Sequence, residues 1–222
     1  MLLAIDTSTR WIGLGVYDGS LMAGEMLWQT QNHHTVELAP AVTDLLKRCG
    51  VDKKDLKALA VALGPGSFTS LRIGLALVKG LSMGLNVPVV GVPSLDILAA
   101  NIPVGELPLL TALQAGRGRF GVGWYNAKKG KWVSQDSPSV MTLEELTGAI
   151  TQPTIVCGEF NALERQSIKR ASTDVQLATP SQCVRRPAVL AEMAWTRWQK
   201  GRTDDLGTLK PIYIHVGQEI PS

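Results

Sequence analysis

The sequence predicts an α/β fold, and three observations carry that expectation. An apolar hairpin opens the chain, an apolar strand then runs straight into a glycine loop and a greasy helix, and strands and helices alternate beyond it. With 222 residues, 45% of them hydrophobic, the chain can bury a substantial core as one domain or two small lobes.

Residues 2–5 form a short apolar strand and 12–17 a second, and Asp18-Gly19-Ser20 turns the chain into a third at 21–28. The hydroxyl-rich turn Asp6-Thr7-Ser8-Thr9 joins the first two. Residues 34–48 have helical spacing, with Leu38, Val42, Leu45 and Leu46 on one face and Glu37, Asp44 and Arg48 roughly opposite. Pro40 lacks a backbone donor, so this helix is either kinked or begins properly near Ala39.

Residues 58–63 are a buried strand leading into Gly64-Pro65-Gly66-Ser67-Phe68-Thr69-Ser70-Leu71-Arg72. Glycines allow a sharp turn there, and Ser67 caps a helix from Phe68 to about Met83. A strand, a glycine loop and a helix start present amides and positive dipole to an anion. Asp6, Thr7, Gly64, Gly66, Ser67 and Thr69 are therefore candidate anion- or nucleotide-binding residues, although the same residues read equally as a tight strand-to-helix turn. No Gly-Lys-Ser/Thr follows, so the loop is not a P-loop. The helix after it has only Arg72 and Lys79 as charges, on nearly one face. So narrow a polar stripe implies cover on more than one side, from a neighbouring helix or a second protein; Ser70, Gly74, Gly80 and Gly84 would permit close approach.

Residues 87–92 are another strand, and Ser94 caps a short helix over 95–100. The Pro, Gly and polar stretch 101–107 marks a boundary between an N-terminal lobe, 1–103, and a C-terminal lobe, 104–222, whose last helix and tail are expected to pack back on the first. In the second lobe, strands at 108–113 and 120–125 flank Gln114-Ala115-Gly116-Arg117-Gly118-Arg119, and Lys128-Lys129-Gly130-Lys131 turns into 132–134. Thr142 and Glu145 form a capping-box pattern opening a helix to about Ile150. A strand at 154–157, a helix at 162–170 and a helix from Pro187 to about Lys200 follow, with Trp195 and Trp198 as packing residues.

A net charge of +3 does not indicate a broad basic surface for nucleic acid; Arg185, Arg186, Arg197, Lys200 and Arg202 could form a local basic patch, and read better as a solvated helix face. Cys49, Cys157 and Cys183 are odd in number and far apart in sequence, with no CxxC pair, which suits a reducing cytoplasm. There is no signal-peptide pattern, and no apolar stretch is read as membrane-spanning, so a soluble cytoplasmic protein is expected. His33 and His34 are adjacent and His215 is remote, which gives no metal-ligand spacing and no nucleophilic triad.

Leu3-Ala4-Ile5-Asp6-Thr7-Ser8-Thr9, the glycine loop through Gly74, and Val87-Pro88-Val89-Val90-Gly91-Val92-Pro93-Ser94-Leu95 resemble the bacterial TsaB (YeaZ) family. Pro211-Ile212-Tyr213-Ile214 is similar to that family's Pro-x-Tyr-Leu-Arg ending, with His215 in place of Arg. The resemblance covers essentially the whole chain, densely over 1–100. It implies a two-lobed fold of the actin-like, sugar-kinase and Hsp70 type, and a non-catalytic subunit for making threonylcarbamoyladenosine on tRNA beside the anticodon. The implied partners are a metal-bearing, TsaD-like catalytic subunit, a TsaE-like ATPase through the complex, a second copy of the chain, and tRNA only indirectly. No catalytic residue, metal or cofactor is implied for this chain itself; ATP or ADP with magnesium would act at the level of the complex. By position, the docking faces would lie on the helices beginning near His34 and Ser67, with His34, Leu38, Val42, Leu45, Ser70, Leu71, Gly74, Leu77 and Leu81 as candidate contacts.

One segment departs from the family pattern. Where Asp-Ala-Arg-Arg-Gly-Glu-Val-Tyr is common, this chain has Gln114-Ala115-Gly116-Arg117-Gly118-Arg119-Phe120-Gly121, replacing both acids. The alternative function is a nucleotide-dependent kinase or ATPase of the same fold, with Asp6 holding a magnesium-bound water. That chemistry needs acids from the second lobe, and Gln114 cannot ionise. Asp6 is expected instead to pair with Arg72.

Overall fold

A computed structural model describes residues 1–31, 33–171 and 173–214; His215 and the polar tail fall outside the described residues. The hairpin consists of β1 (Leu2–Asp6) and β2 (Trp11–Tyr17), extended by β3 (Met22–Gln29). β4 (Ala58–Ala62) and β5 (Val89–Val92) continue the sheet in parallel, giving the order β3-β2-β1-β4-β5. Parallel neighbours need crossover connections; α1 (His34–Arg48) precedes β4, and α2 (Phe68–Leu85) links β4 to β5. On one face, Leu38, Val42, Leu45, Leu75 and Val78 of these helices pack on Leu3, Ile5, Leu59 and Val61. On the other, Leu190, Ala191 and Ala194 of α6 (Pro187–Trp198) pack on Leu2, Ala4, Ala60 and Val90. With both faces covered, β1, β4 and β5 are buried along their whole length.

Sequence-specific details fix these layers. A Cβ on Gly13 would sit 2.8 Å from Pro187 Cγ, so a larger residue there would push the start of α6 off the sheet. Trp195 meets Tyr17 and Trp198 edge-on, at centroid distances of 5.5 and 4.9 Å. Helix α1 starts at His34 and runs through Pro40, not from near Ala39. Its first turn is held by side chains: His34 Nε2 bonds the Thr9 carbonyl at 3.0 Å, and Glu37 accepts from Trp28 Nε1 and the Thr30 hydroxyl.

The second sheet has the order β11-β10-β6-β7-β8, with β9 also on β7; the strands are β6 (Leu109–Gly116), β7 (Arg119–Lys128), β8 (Lys131–Ser134), β9 (Ser139–Met141), β10 (Thr154–Gly158) and β11 (Val175–Leu177). Its helices are α3 (Ser94–Ala100), α4 (Leu143–Gly148) and α5 (Ala162–Ala171). The Thr142–Glu145 capping box is present, with bonds of 3.2 and 2.7 Å. Strands β9 and β11 have no counterpart in the sequence expectation, since three residues are too few to show an alternating pattern. Ser94 does not cap α3 from outside; it is the first helical residue, and its hydroxyl is used elsewhere.

The expectation about membrane-spanning length needs correction. Helix α2 is 18 residues long and apolar enough to cross a membrane by length and composition alone, with a third of that window buried inside the molecule.

Candidate functional site

The polar turn after β1 and the glycine loop after β4 interlock. Ser67 N–H donates to the Ser8 carbonyl at 2.7 Å, and Gly64 N–H donates to Ser94 Oγ at 2.9 Å. Ser94 Oγ also lies 2.5 Å from Ser8 Oγ. Gly64 has φ +93°, and a Cβ on Gly66 would lie 1.9 Å from the Ser8 carbonyl oxygen, so glycine is required at both places. Ser67 caps α2, its hydroxyl accepting from the Ser70 amide at 3.5 Å. Two loop amides expected to face an anion are thus committed to the protein itself.

Beneath them lies a buried charge cluster. Arg185, in the segment entering α6, donates from Nε to Asp6 Oδ2 at 2.7 Å, from Nη1 to Glu159 Oε1, and from Nη2 to Thr9 Oγ1 at 3.0 Å. Thr9 Oγ1 in turn donates to Glu159 Oε1 at 3.1 Å. Asp6 Oδ1 is occupied by the Ser8 amide at 2.8 Å. Asp6 and Arg185 are 2% and 3% exposed, so each charge depends on its partners. Burial by itself would pull the guanidinium down, but the two carboxylates hold it above the usual arginine value. Among the described residues, no buried side-chain nitrogen or oxygen lacks a hydrogen-bond partner.

Arg185 therefore joins the end of β1 to Glu159 just after β10, one strand from each sheet. This corrects two expectations. Arg185 is not part of a solvated basic face, and Asp6 pairs with Arg185 rather than Arg72. Arg72 lies 3.7 Å over the Phe68 ring and bonds the Tyr213 hydroxyl at 3.1 Å. Asp6 is poorly placed to hold a magnesium-bound water, because it is buried and its charge is already paired with Arg185. Thr7 is equally unavailable to a ligand, buried and donating to the Ser70 carbonyl at 2.7 Å.

Two clefts open above this floor. One, of about 860 Å³, has Thr9, Ser67, Gln114, Glu159, Glu164 and Arg165 among its walls. The other, of about 700 Å³, brings Gly66, Ser67 and Thr69 opposite Arg117 and Arg119. Gln114 donates at 3.4 Å to the Glu159 carbonyl and at 3.5 Å to Glu164 Oε1, so the acids of the cleft come from 159–164 rather than from the altered segment. Sequence reading missed Glu159, Glu164 and Arg185, none of which sits in a local motif. The one available signal for Arg185 was its place two residues before a helix-starting proline.

The candidate partner contacts also need correction. His34, Leu38, Val42, Leu45, Ser70, Leu71 and Gly74 are all buried in the chain's own core, on the inward faces of α1 and α2. A Cβ on Gly74 would lie 2.2 Å from Thr7 Oγ1, which makes this glycine an intramolecular contact. Leu77 and Leu81 are half-buried at the edge of that core. The outward face is formed by Arg72, Ala76, Gly80 and Gly84 at four-residue spacing, with Met83 76% exposed and Phe68 52% exposed. On α1, Val36 is 71% exposed.

Comparison with known proteins bears on the family and the fold. The family model described as "TsaD: tRNA N6-adenosine threonylcarbamoyltransferase" matches residues 28–156. The chain is 29% identical over 221 residues to the tRNA threonylcarbamoyladenosine biosynthesis protein TsaB of Bacillus subtilis, covering 98% of this chain and 95% of that protein. It superposes on YeaZ from Pseudomonas aeruginosa with a TM-score of 0.79 at 26% identity, over 96% of this chain and 99% of that one. The ethanolamine utilization protein EutJ from Carboxydothermus hydrogenoformans shares the fold alone, with a TM-score of 0.53 at 15% identity over 86% and 88% of the two chains. The fold is the α/β, two-sheet actin-like fold, and the chain belongs to the TsaB (YeaZ) family.

Proposed function

We propose that this chain is a non-catalytic subunit in the synthesis of threonylcarbamoyladenosine on tRNA, and that it docks a TsaD-like catalytic protein through the outward face of α2 with the adjoining part of α1. One observation carries the reading: an 18-residue apolar helix that packs on the sheet and on α1 yet leaves Ala76, Gly80, Met83 and Gly84 exposed. Ala76, Gly80 and Gly84 give that face a shallow furrow, since a Cβ on Gly80 or Gly84 would meet nothing within 4 Å. A second helix could approach closely there, and contiguous exposed apolar surface marks an interaction site. The partner would carry the metal and the chemistry. In the absence of that partner the same face would join two copies of the chain, and a TsaE-like ATPase and tRNA would meet only the assembled complex in the cytoplasm. The commitment of Asp6 to Arg185 supports assigning the phosphoryl and metal chemistry elsewhere.

The test is co-expression with the TsaD-like protein of the same organism, followed by light scattering on the purified mixture. A stable complex is expected, weakened on the order of 100-fold by the paired change Ala76→Asp and Gly80→Asp, which places two charges at the centre of the contact. The folded stability of the variant should move by no more than about 0.5 kcal/mol for each exposed site, apart from the gain from replacing glycine. Absence of a complex, or one indifferent to both charges, overturns the proposal. Magnesium-dependent ATP turnover by the isolated chain would favour the kinase reading instead.

A further inference from the structure

Cys157 and Cys183, 26 positions apart in sequence, are brought together by the fold, with their sulfurs 3.7 Å apart. The separation expected from the sequence does not hold in space, because β10 delivers Cys157 to the place where the segment before α6 delivers Cys183. Both are free thiols; Cys157 is fully buried, and Cys183 lies on the wall of the larger cleft beside Arg165. Each also stands two positions before a member of the buried charge cluster, Cys157 before Glu159 and Cys183 before Arg185. A bond between the sulfurs would run alongside the Glu159–Arg185 ion pair.

We propose that Cys157 and Cys183 form an oxidant-responsive pair which peroxide converts to a disulfide, clamping the segment that carries Arg185 onto the strand that leads to Glu159.

The surroundings distinguish the two roles. Cys157 Sγ lies 3.7 Å from the Cys183 sulfur and 3.6 Å from the Gln182 carbonyl; the Cys157 contact, the Gly158 amide and the Arg165 guanidinium outweigh burial and hold the Cys183 thiol below its ordinary range. The Arg165 Nη1 is 3.9 Å from that sulfur. The Cys157 thiol is pushed up by the same contact and by burial. Cys183 is thus the nucleophile, and the cleft is the route for a small oxidant. Its thiolate attacks one peroxide oxygen, the O–O bond breaks, and the departing hydroxide takes a proton to leave as water. The Cys157 sulfur then attacks the resulting sulfenic sulfur, the S–O bond breaks, and the second hydroxide leaves as water with the Cys157 proton. Two thiols are oxidised to a disulfide and one peroxide is reduced to two waters. The sulfurs need only close to about 2.05 Å.

The experiment is titration of the purified full-length chain with hydrogen peroxide, followed by non-reducing peptide mapping and hydrogen exchange. A Cys157–Cys183 linkage, reversed by dithiothreitol, is expected before any reaction at Cys49, whose half-buried thiol is pushed up by burial. Exchange across 178–185 should slow several-fold on oxidation. In Cys157→Ser the reaction should stop at a Cys183 sulfenic acid that dimedone traps, and Cys183→Ser should leave Cys157 a thiol. First reaction at Cys49, or oxidation of Cys183 beyond sulfenic acid without a linkage in the native chain, overturns the site. Linkage with unchanged exchange overturns the clamp.

Discussion

The floor of the cleft hides its charges, whereas the outward face of α2 leaves its hydrocarbon uncovered. Both lie beside the same loop, 64–67, and both depart from what solvent alone would select. Arg185 and Asp6 are removed from water, at a desolvation cost offset by their pairing with each other and with Glu159 at the cleft wall. Ala76, Gly80 and Met83 stay in water, although their helix has no polar stripe wide enough to favour that exposure. A buried cluster whose polar atoms each have a partner is built for rigidity; an uncovered apolar face leaves something over for a partner. The contrast explains why function is sought on the outside of this molecule and rigidity in its centre.

The largest effect expected from testing that contrast comes from Arg185→Ala. It strips the paired cation from the buried Asp6 carboxylate and from Glu159 at the cleft wall, and should destabilise the chain by about 3–5 kcal/mol, a large part of a typical domain's stability. Urea unfolding of the purified chain measures it. A loss below about 1 kcal/mol would mean that the cleft floor admits water and is not the closed cluster described here.

Two glycines six residues apart on α2 sharpen the comparison, because one is buried against Thr7 and the other is exposed. Gly74→Ala puts a methyl against the short, hydrogen-bonded side chain of Thr7 and should cost about 1–3 kcal/mol by overpacking. Gly80→Ala meets nothing and should instead stabilise the isolated chain by about 0.5–1 kcal/mol through helix propensity. Thermal unfolding of the two variants should therefore shift in opposite directions. Shifts of the same sign would show that the inward and outward faces have been misassigned.

The sequence made the strand and helix order legible because apolar period and capping residues are local signals: the Thr142–Glu145 box and the proline opening α6 were readable within a few residues. Which side of α1 and α2 faces inward was not readable in the same way. Leu38, Val42 and Leu45 mark an apolar stripe, but a stripe fits a sheet of the same chain as well as a second protein. The cluster around Arg185 was illegible for a different reason. Its members come from residues 6, 9, 159 and 185, and nothing in the text of the chain joins positions so far apart. Charge counting misplaced Arg185 beside Arg186 on a wet face, although the two arginines serve different carboxylates in different surroundings.

That neighbouring arginine supplies the smallest and most discriminating effect. Arg186 is about half exposed and binds Glu25 on β3, which also accepts the Ala188 amide at 3.0 Å. Burial pushes the Glu25 carboxyl upward, but the Arg186 guanidinium and the Ala188 N–H outweigh it and hold the group below its ordinary value of 4.5. A depressed carboxylate adds stability that is fully present above the unfolded-state value and is lost as pH falls through the lower folded-state value. Glu25→Gln should therefore cost about 0.5–1 kcal/mol at neutral pH, kept small by solvent screening of the exposed arginine. The gap between variant and parent in urea midpoint should shrink progressively as the pH falls below 4.5, and added salt should narrow it at neutral pH. Arg185→Ala should show a smaller sensitivity to salt, since Arg185 and Asp6 are both shielded from solvent ions. Equal salt dependence in the two variants would erase the distinction between a buried charge cluster and a surface pair one residue away.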